Sequence, residues 1–127
     1  MKKIVIILGI AALGLAGCNQ FKKGEGDMLY KIYSDKSGET IKLGDFVAFK
    51  AIEKTEEGDS VLFSSYDYDH SALLVREKSV FKGDLFAALG LLSEGDSASF
   101  KINIDSMTAK MGRPKPTHSK GKYLVYT

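Results

Sequence analysis

The chain of 127 residues contains one cysteine, two prolines and no tryptophan. A single cysteine forms no internal disulfide, so the chain is not a disulfide-stapled scaffold. With 44% hydrophobic and 27% charged residues, the composition is that of a globular protein. It excludes collagen-like, coiled-coil and wholly disordered chains, and the length predicts a single domain.

The sequence also lacks an excess of charge of one sign. Its formal net charge of +2 comes from 18 Lys and Arg residues against 16 Asp and Glu residues. Lys2 and Lys3 account for the difference, because 18 − 2 = 16 basic residues remain against the 16 acidic ones. A neutral domain lacks the basic face that nucleic-acid binding requires, so we expect no nucleic-acid partner.

A hydrophobic run long enough to cross a bilayer is missing as well. The apolar residues 4–15 follow Lys2 and Lys3, and they fall short of the roughly 20 residues of a spanning helix. They are typical of the core of a secretory signal. The next residues, Leu15-Ala16-Gly17-Cys18, resemble the bacterial lipobox, whose cysteine is lipid-modified and becomes the N-terminus. The alternative is that Cys18 is a buried core thiol.

This organisation predicts three segments. Residues 1–17 are a lipoprotein signal peptide, residues 18–27 are the lipidated Cys18 with a flexible polar tether, and residues 28–127 are the domain. We therefore expect a lipid-anchored protein of the cell envelope that faces the periplasm or the exterior.

Hydrophobic patterning predicts an α+β domain. Aromatic and aliphatic residues, alternating with polar ones, favour strands at 28–33, 45–54, 60–65, 73–75, 97–104 and 123–126. A helix is predicted over 84–92, with Asp84 as its N-cap and Gly95 at its left-handed C-terminal position. Residues 107–122 are predicted to form a long basic loop. We expect a twisted antiparallel half-barrel of about five strands, wrapped on one short helix.

Several short motifs follow one another in an order that resembles the FKBP-type peptidyl-prolyl cis–trans isomerases. They are Gly44-Asp45-Phe46-Val47, Gly58, Phe63-Ser64-Ser65, Val80-Phe81-Lys82-Gly83 and the run Leu91 to Asp96. The resemblance extends from about Leu29 to the end of the sequence. The family's last strand usually runs several residues beyond the position of Thr127, so either this strand is short or the sequence is incomplete.

The resemblance implies a proline-binding pocket. Phe63 would form a wall, Val80 and Phe81 the base with a main-chain contact, and Tyr126 an aromatic from the last strand. The family's pocket-floor tryptophan falls near Leu85 or Phe86. Each of these residues also fits plain core packing.

Three positions depart from the family pattern. Ala51 occupies the position of the family's central-strand tyrosine, and Ser64 occupies the position of an aspartate. Leu85 or Phe86 replaces the tryptophan. The resemblance implies a cofactor-free monomeric isomerase that acts on proline-containing polypeptide clients during the folding of exported proteins. The alternative is a binding or chaperone module with the same fold and weak or no catalysis.

Other groupings of polar residues are weaker. Asp67, Asp69 and His70 share one loop, but the spacing of a calcium loop is absent, and His118 is distant. We expect no metal site. The basic residues between 110 and 122 indicate a solvated flap or a surface for anionic lipid headgroups or an acidic client.

Overall fold

A computed structural model describes residues 20–57, 60–116 and 121–127. The predicted signal peptide, Cys18, Gly58 and His118 lie outside the described residues. Eight strands and two α-helices occur in the described part of the chain. The strands are β1 (Lys22–Lys23), β2 (Leu29–Ser34), β3 (Phe46–Phe49), β4 (Ile52–Thr55), β5 (Val61–Ser64), β6 (Ala72–Val75), β7 (Ser97–Asn103) and β8 (Tyr123–Tyr126). The helices are α1 (Leu85–Leu89) and α2 (Ile104–Met111), and Ser65–Asp67 form a 3₁₀ turn.

The domain is α+β, built on an open, antiparallel sheet. Six strands pair in the order β1-β2-β7-β8-β4-β5, and β3 pairs with β6 in a separate two-stranded sheet. Every pairing is antiparallel. The predicted core positions in β7 are confirmed, because Phe100 and Ile102 are 5% and 1% exposed and lie in the core with Leu124 and Ala88. Burial of such side chains contributes about 1.5–3 kcal/mol each.

The strand predicted over 45–54 is two strands that belong to different sheets. β3 pairs with β6, whereas β4 pairs with β5 and β8. The chain changes partner at Lys50 and Ala51, where the Ala51 N–H donates to the Ser65 hydroxyl at 2.7 Å. The Ser65 N–H in turn donates to the Ala51 carbonyl at 2.9 Å. The predicted single strand was wrong here, because hydrophobic alternation runs unbroken through a change of pairing partner.

Helix α1 begins where the sequence predicts and ends earlier. The carboxylate of Asp84, 2% exposed, accepts a hydrogen bond from the Ala87 N–H at 3.0 Å and caps the helix. The helix ends at Leu89, and its C-cap Gly90 is not left-handed. Gly95 does adopt a positive φ of 87°, but it lies in the turn between Ser93 and Asp96, which precedes β7.

Helix α2 replaces the first part of the predicted basic loop. The Asn103 side chain accepts a hydrogen bond from the Ser106 N–H at 2.9 Å and caps its start, and the left-handed Gly112 ends it. Ile104 and Met107 are buried. The predictions of a single helix and of a loop from residue 107 were therefore wrong. The side chains of Ile104 and Met107 are buried because this segment turns back onto the sheet.

The N-terminal segment packs on the domain rather than forming only a flexible tether. Lys22 and Lys23 pair with β2, and the side chain of Met28 is 2% exposed. Gly83, with φ of 82°, lies so close to this segment that a Cβ there would overlap the carbonyl oxygen of Glu25. Only glycine combines this backbone conformation with so close an approach.

Candidate functional site

A cavity of about 550 Å³ opens between helix α1 and strands of both sheets. Its walls are mostly aliphatic and aromatic. Helix α1 and the residues after it contribute Leu85, Leu89 and Leu92, and the strands contribute Phe49, Leu74, Ala98 and Phe100. A second hollow, lined by residues 36–49 and 89–96, adjoins the cavity and shares the side chains of Phe49, Leu89 and Leu92 with it.

The helical wall is held from two sides. The two carboxylate oxygens of Asp84 accept the Ala87 N–H and the Val80 N–H, the latter at 2.7 Å. At the other end, the Arg76 guanidinium donates to the Phe86 carbonyl at 3.0 Å and to the Ile41 carbonyl at 2.7 Å. The position of Leu85 and Leu89 against the sheet is therefore fixed by partly buried hydrogen bonds as well as by packing.

Polar side chains also line the cavity. The hydroxyl-bearing side chains of Tyr33, Tyr66 and Tyr126 line it, together with Lys50 and Asp96. The Lys50 ammonium lies over the Tyr66 ring, 5.2 Å from its centroid. This arrangement offers a few hydrogen-bonding groups around an apolar interior, as ligand-binding cavities do.

The Asp96 carboxylate is hydrogen-bonded to backbone N–H groups. Its carboxylate accepts hydrogen bonds from the Lys36 N–H at 2.7 Å and the Ser93 N–H at 2.9 Å. These two bonds lower the pKa of the Asp96 carboxyl. At neutral pH the group is therefore ionised and holds the turn before β7, which does not suit it to accept and return protons.

A charged network lies beside the cavity wall. Glu53, 7% exposed, accepts two hydrogen bonds from the Arg113 guanidinium, one of them from Nη1 at 2.9 Å. Arg113 Nη1 also donates to the Tyr126 hydroxyl oxygen at 3.2 Å. Since Tyr126 lines the cavity, this network fixes one of its walls and ties residue 113, beyond α2, to strand β4.

The network shifts the pKa of each member. Burial by itself raises the pKa of the Glu53 carboxyl, but hydrogen bonds with Arg113 and Tyr126 outweigh it, and the net pKa is lowered. The hydrogen bond to Glu53 raises the pKa of Arg113. Burial, followed by the bond with Glu53, raises the pKa of the Tyr126 hydroxyl. At neutral pH the pair is ionised and the tyrosine is protonated.

The structure brings together only part of the predicted site. Leu85, Ala51 and Tyr126 line the cavity. Phe63 and Ser64 lie on β5 outside its lining, where the Phe63 ring stacks on the Tyr68 ring with centroids 6.2 Å apart. The Ser64 hydroxyl accepts the Tyr66 N–H at 3.3 Å.

Val80 and Phe81 precede helix α1 and are also outside the lining. Val80 is 50% exposed, and Phe81 packs against the core cluster. The loop with Asp67, Asp69 and His70 is exposed. Within residues 20–57, 60–116 and 121–127, no three His, Cys, Asp or Glu side chains are grouped as metal ligands would be.

Sequence reasoning missed Glu53, Arg113, Arg76 and Leu89. The carboxylate in the middle of a predicted strand was the available signal for Glu53, because a charge at a buried strand position requires a partner. Its partner lies 60 positions along the chain, and spacing does not reveal a pair at that distance.

The chain matches no protein-family model and no curated protein sequence. The cavity and the chemistry of its walls are therefore what points to a function. Apolar walls with a few hydroxyl groups at the edge can bind an apolar group and remove it from water.

Proposed function

We propose that the protein is an FKBP-like peptidyl-prolyl cis–trans isomerase, anchored by lipid at Cys18 in the cell envelope, that acts as a monomer on exported polypeptides. The observation that carries this proposal is the apolar cavity of about 550 Å³ between α1 and the sheet strands. The antiparallel α+β architecture is compatible with an FKBP-like fold.

The reaction needs little more than such a cavity. Rotation about a peptide bond has a barrier of about 18–20 kcal/mol, which comes from the resonance of the planar amide. An X-Pro bond isomerises in tens to hundreds of seconds without a catalyst. A cavity that holds the proline ring among Leu85, Leu89 and Phe100 strips water from the amide and weakens the stabilisation of its planar form. The Tyr66 hydroxyl is the lining group available to bind a client carbonyl, because the Tyr126 hydroxyl is hydrogen-bonded to Glu53 and Arg113.

A binding module without catalysis is the second candidate. It is favoured by the position of Phe63, Ser64, Val80 and Phe81, which are outside the lining of the cavity. Ala51, in the place of the family's tyrosine, leaves the wall without a hydroxyl at that point.

Isomerisation of a proline tetrapeptide by the full chain, followed by NMR exchange, separates the two candidates. We expect acceleration over the uncatalysed rate, and a loss of kcat/KM of about tenfold in Leu85→Ala after correction for the folded fraction. Leu73→Ala is the matched control, because Leu73 is 75% exposed and outside the cavity. Phe63→Ala tests the family-based assignment, and we expect it to retain activity.

If isomerisation proceeds at the uncatalysed rate and Leu85→Ala still weakens peptide binding, the protein is a binding module and not an isomerase. Activity lost in Phe63→Ala but retained in Leu85→Ala would move the site from the cavity to strand β5.

A further inference from the structure

Strand β5 forms an open edge of the six-stranded sheet. It is the last strand in the order, and within the described residues it pairs with β4 alone. Edge strands present unpaired backbone groups, and proteins commonly protect them with charged residues or proline. Strand β1, at the opposite edge of the same sheet, consists of Lys22 and Lys23. Strand β5 (Val61–Ser64) carries neither a charge nor a proline.

The backbone of this edge is oriented to accept a further strand. Ile52, directly opposite Ser64 in the register, exchanges both of its backbone hydrogen bonds with Thr127, at 2.8 and 3.0 Å. Ile52 therefore bonds on the side of β8, and the N–H and C=O of Ser64 point away from β4. An extended polypeptide segment can pair with backbone groups that point out of a sheet in this way.

Both faces of β5 are apolar and exposed. Val61, Leu62 and Phe63 are 60%, 41% and 40% exposed. The register places Phe63 opposite Glu53 and Val61 opposite Lys54, and successive residues of a strand project to opposite faces. Neither face of β5 is therefore buried by the described residues. A run of exposed apolar side chains on an open edge is typical of an interaction site.

The edge is continuous with the cavity. The N–H of Ser65, the residue after β5, donates to the Ala51 carbonyl at 2.9 Å. Ala51 and Tyr66 both line the cavity, and Tyr66 is 60% exposed. The Tyr68 ring, whose residue is 56% exposed, stacks on the Phe63 ring with centroids 6.2 Å apart. Exposed aromatic side chains therefore extend from the lining of the cavity to β5.

We propose that an unfolded client adds an extended, apolar segment as a strand to the edge of β5 while its proline occupies the cavity. The inference rests on the proposed function for the cavity, and on the register and exposure of β5 for the edge. The client backbone pairs with Ser64, and its side chains cover Val61, Leu62 and Phe63. Main-chain hydrogen bonds supply affinity with little dependence on sequence. Unfolded chains offer unpaired backbone, whereas folded proteins have paired theirs, so the edge selects clients that still have to fold.

Binding of three fluorescent peptides to the full chain tests the edge. The first is the proline tetrapeptide, and the second extends it on each side by about six residues of alternating Val and Thr, which favour the extended conformation. The third has the same side chains, with esters in place of the amides of the extensions, so that the N–H donors are missing. We expect the second peptide to bind at least about tenfold more tightly than the first, and the ester analogue to lose most of that gain.

A matched pair of variants locates the binding on the protein. Leu62→Lys places a charge on the β5 edge and should lower the affinity for the extended peptide about tenfold. Leu73→Lys is the control, because Leu73 is 75% exposed on β6 in the other sheet, and it should change the affinity less than about twofold. Thermal unfolding shows whether each variant is folded. The ester analogue is measured on the unsubstituted protein and gives its result independently of the variants.

Equal affinity for the extended peptide and its ester analogue, or equal losses in the two lysine variants, would overturn the proposal. So would self-association of the free protein that Leu62→Lys abolishes, since that result assigns the edge to a second copy of the chain. Isomerisation of the tetrapeptide by the unsubstituted protein is measured on the same preparation. Absent isomerisation with a length-dependent affinity contradicts the proposed function alone, and isomerisation with equal affinity for short and extended peptides contradicts strand addition alone.

Discussion

Glu53 shows how a single buried charge organises the region around the cavity. Its carboxylate lies at an inward position of β4 next to Tyr126 on β8, and its hydrogen bonds with Arg113 compensate for the loss of water. The guanidinium remains more than a third exposed, with 38% of its side-chain surface accessible. Solvent therefore screens part of the attraction, and the pair contributes less than a fully buried pair would.

We expect Glu53→Gln to lower the free energy of unfolding by about 1–2 kcal/mol at pH 7, because a neutral amide replaces one partner of a charged hydrogen bond. The control is Glu94→Gln, which removes a charge from an exposed position. Chemical denaturation at several pH values is the measurement. The pKa of Glu53 is lowered from its ordinary value of 4.5 in the folded protein.

The direction of the pH dependence follows from that shift. A carboxyl whose pKa is lowered on folding stabilises the fold above its ordinary pKa, and the contribution disappears as the pH falls through the folded value. The difference between the wild type and Glu53→Gln should therefore be constant above about pH 5 and shrink in more acidic solution. A difference that grows on acidification would contradict the ionised pair.

At the scale of elements, the N-terminal segment and the loop before α1 interlock through two glycines. Gly26 and Gly83 both have positive φ, 58° and 82°. A Cβ on Gly26 would lie 2.5 Å from the carbonyl oxygen of Lys82, which is backbone and cannot move aside as a flexible side chain does. The hairpin β1–β2 is thus fitted to the loop that leads into the cavity's helical wall.

Gly83→Ala should therefore cost more than the left-handed conformation alone. We expect a loss of about 2–4 kcal/mol in the free energy of unfolding, since the added methyl group must push the Glu25 backbone away. Gly44→Ala is the matched control, because Gly44 has a φ of 89° with nothing within 4 Å of a Cβ, and should cost about 1–2 kcal/mol. Equal losses in denaturant unfolding would show that the close packing is unimportant.

At the scale of the whole molecule, we propose that a lipid anchor determines where the domain acts. No helix among the described residues is long and apolar enough to cross a bilayer. We propose that membrane attachment comes from acyl chains on Cys18, which add about 0.8 kcal/mol for each buried CH₂ group.

Intact-mass analysis of the protein isolated from membranes tests the anchor. We expect the mass of residues 18–127 plus that of the acyl groups, and we expect Cys18→Ala to lack the added mass and to leave the membrane fraction. The same lipid mass on Cys18→Ala would contradict attachment at this residue and would leave the cysteine as an ordinary thiol.

The sequence by itself determined the local features of this protein. The alternation of Ala98, Phe100 and Ile102 predicts a strand, and the structure has it, with Phe100 and Ile102 in the core. Asp84 predicts the start of α1 because a carboxylate there can accept a free N–H of the first turn. The strand at 123–126 is likewise found at its predicted bounds. Each of these signals is contained in a few neighbouring residues.

Only the tertiary structure decided which elements pair and which side chains meet. The chain from Phe46 to Thr55 divides between two sheets, and residues 104–111 turn into a helix because Ile104 and Met107 reach the core. Glu53 pairs with Arg113, and Leu85 and Tyr126 line the same cavity. The physical reason is that burial and charge compensation depend on contacts between residues far apart in the chain, whereas alternation and capping report only on neighbours.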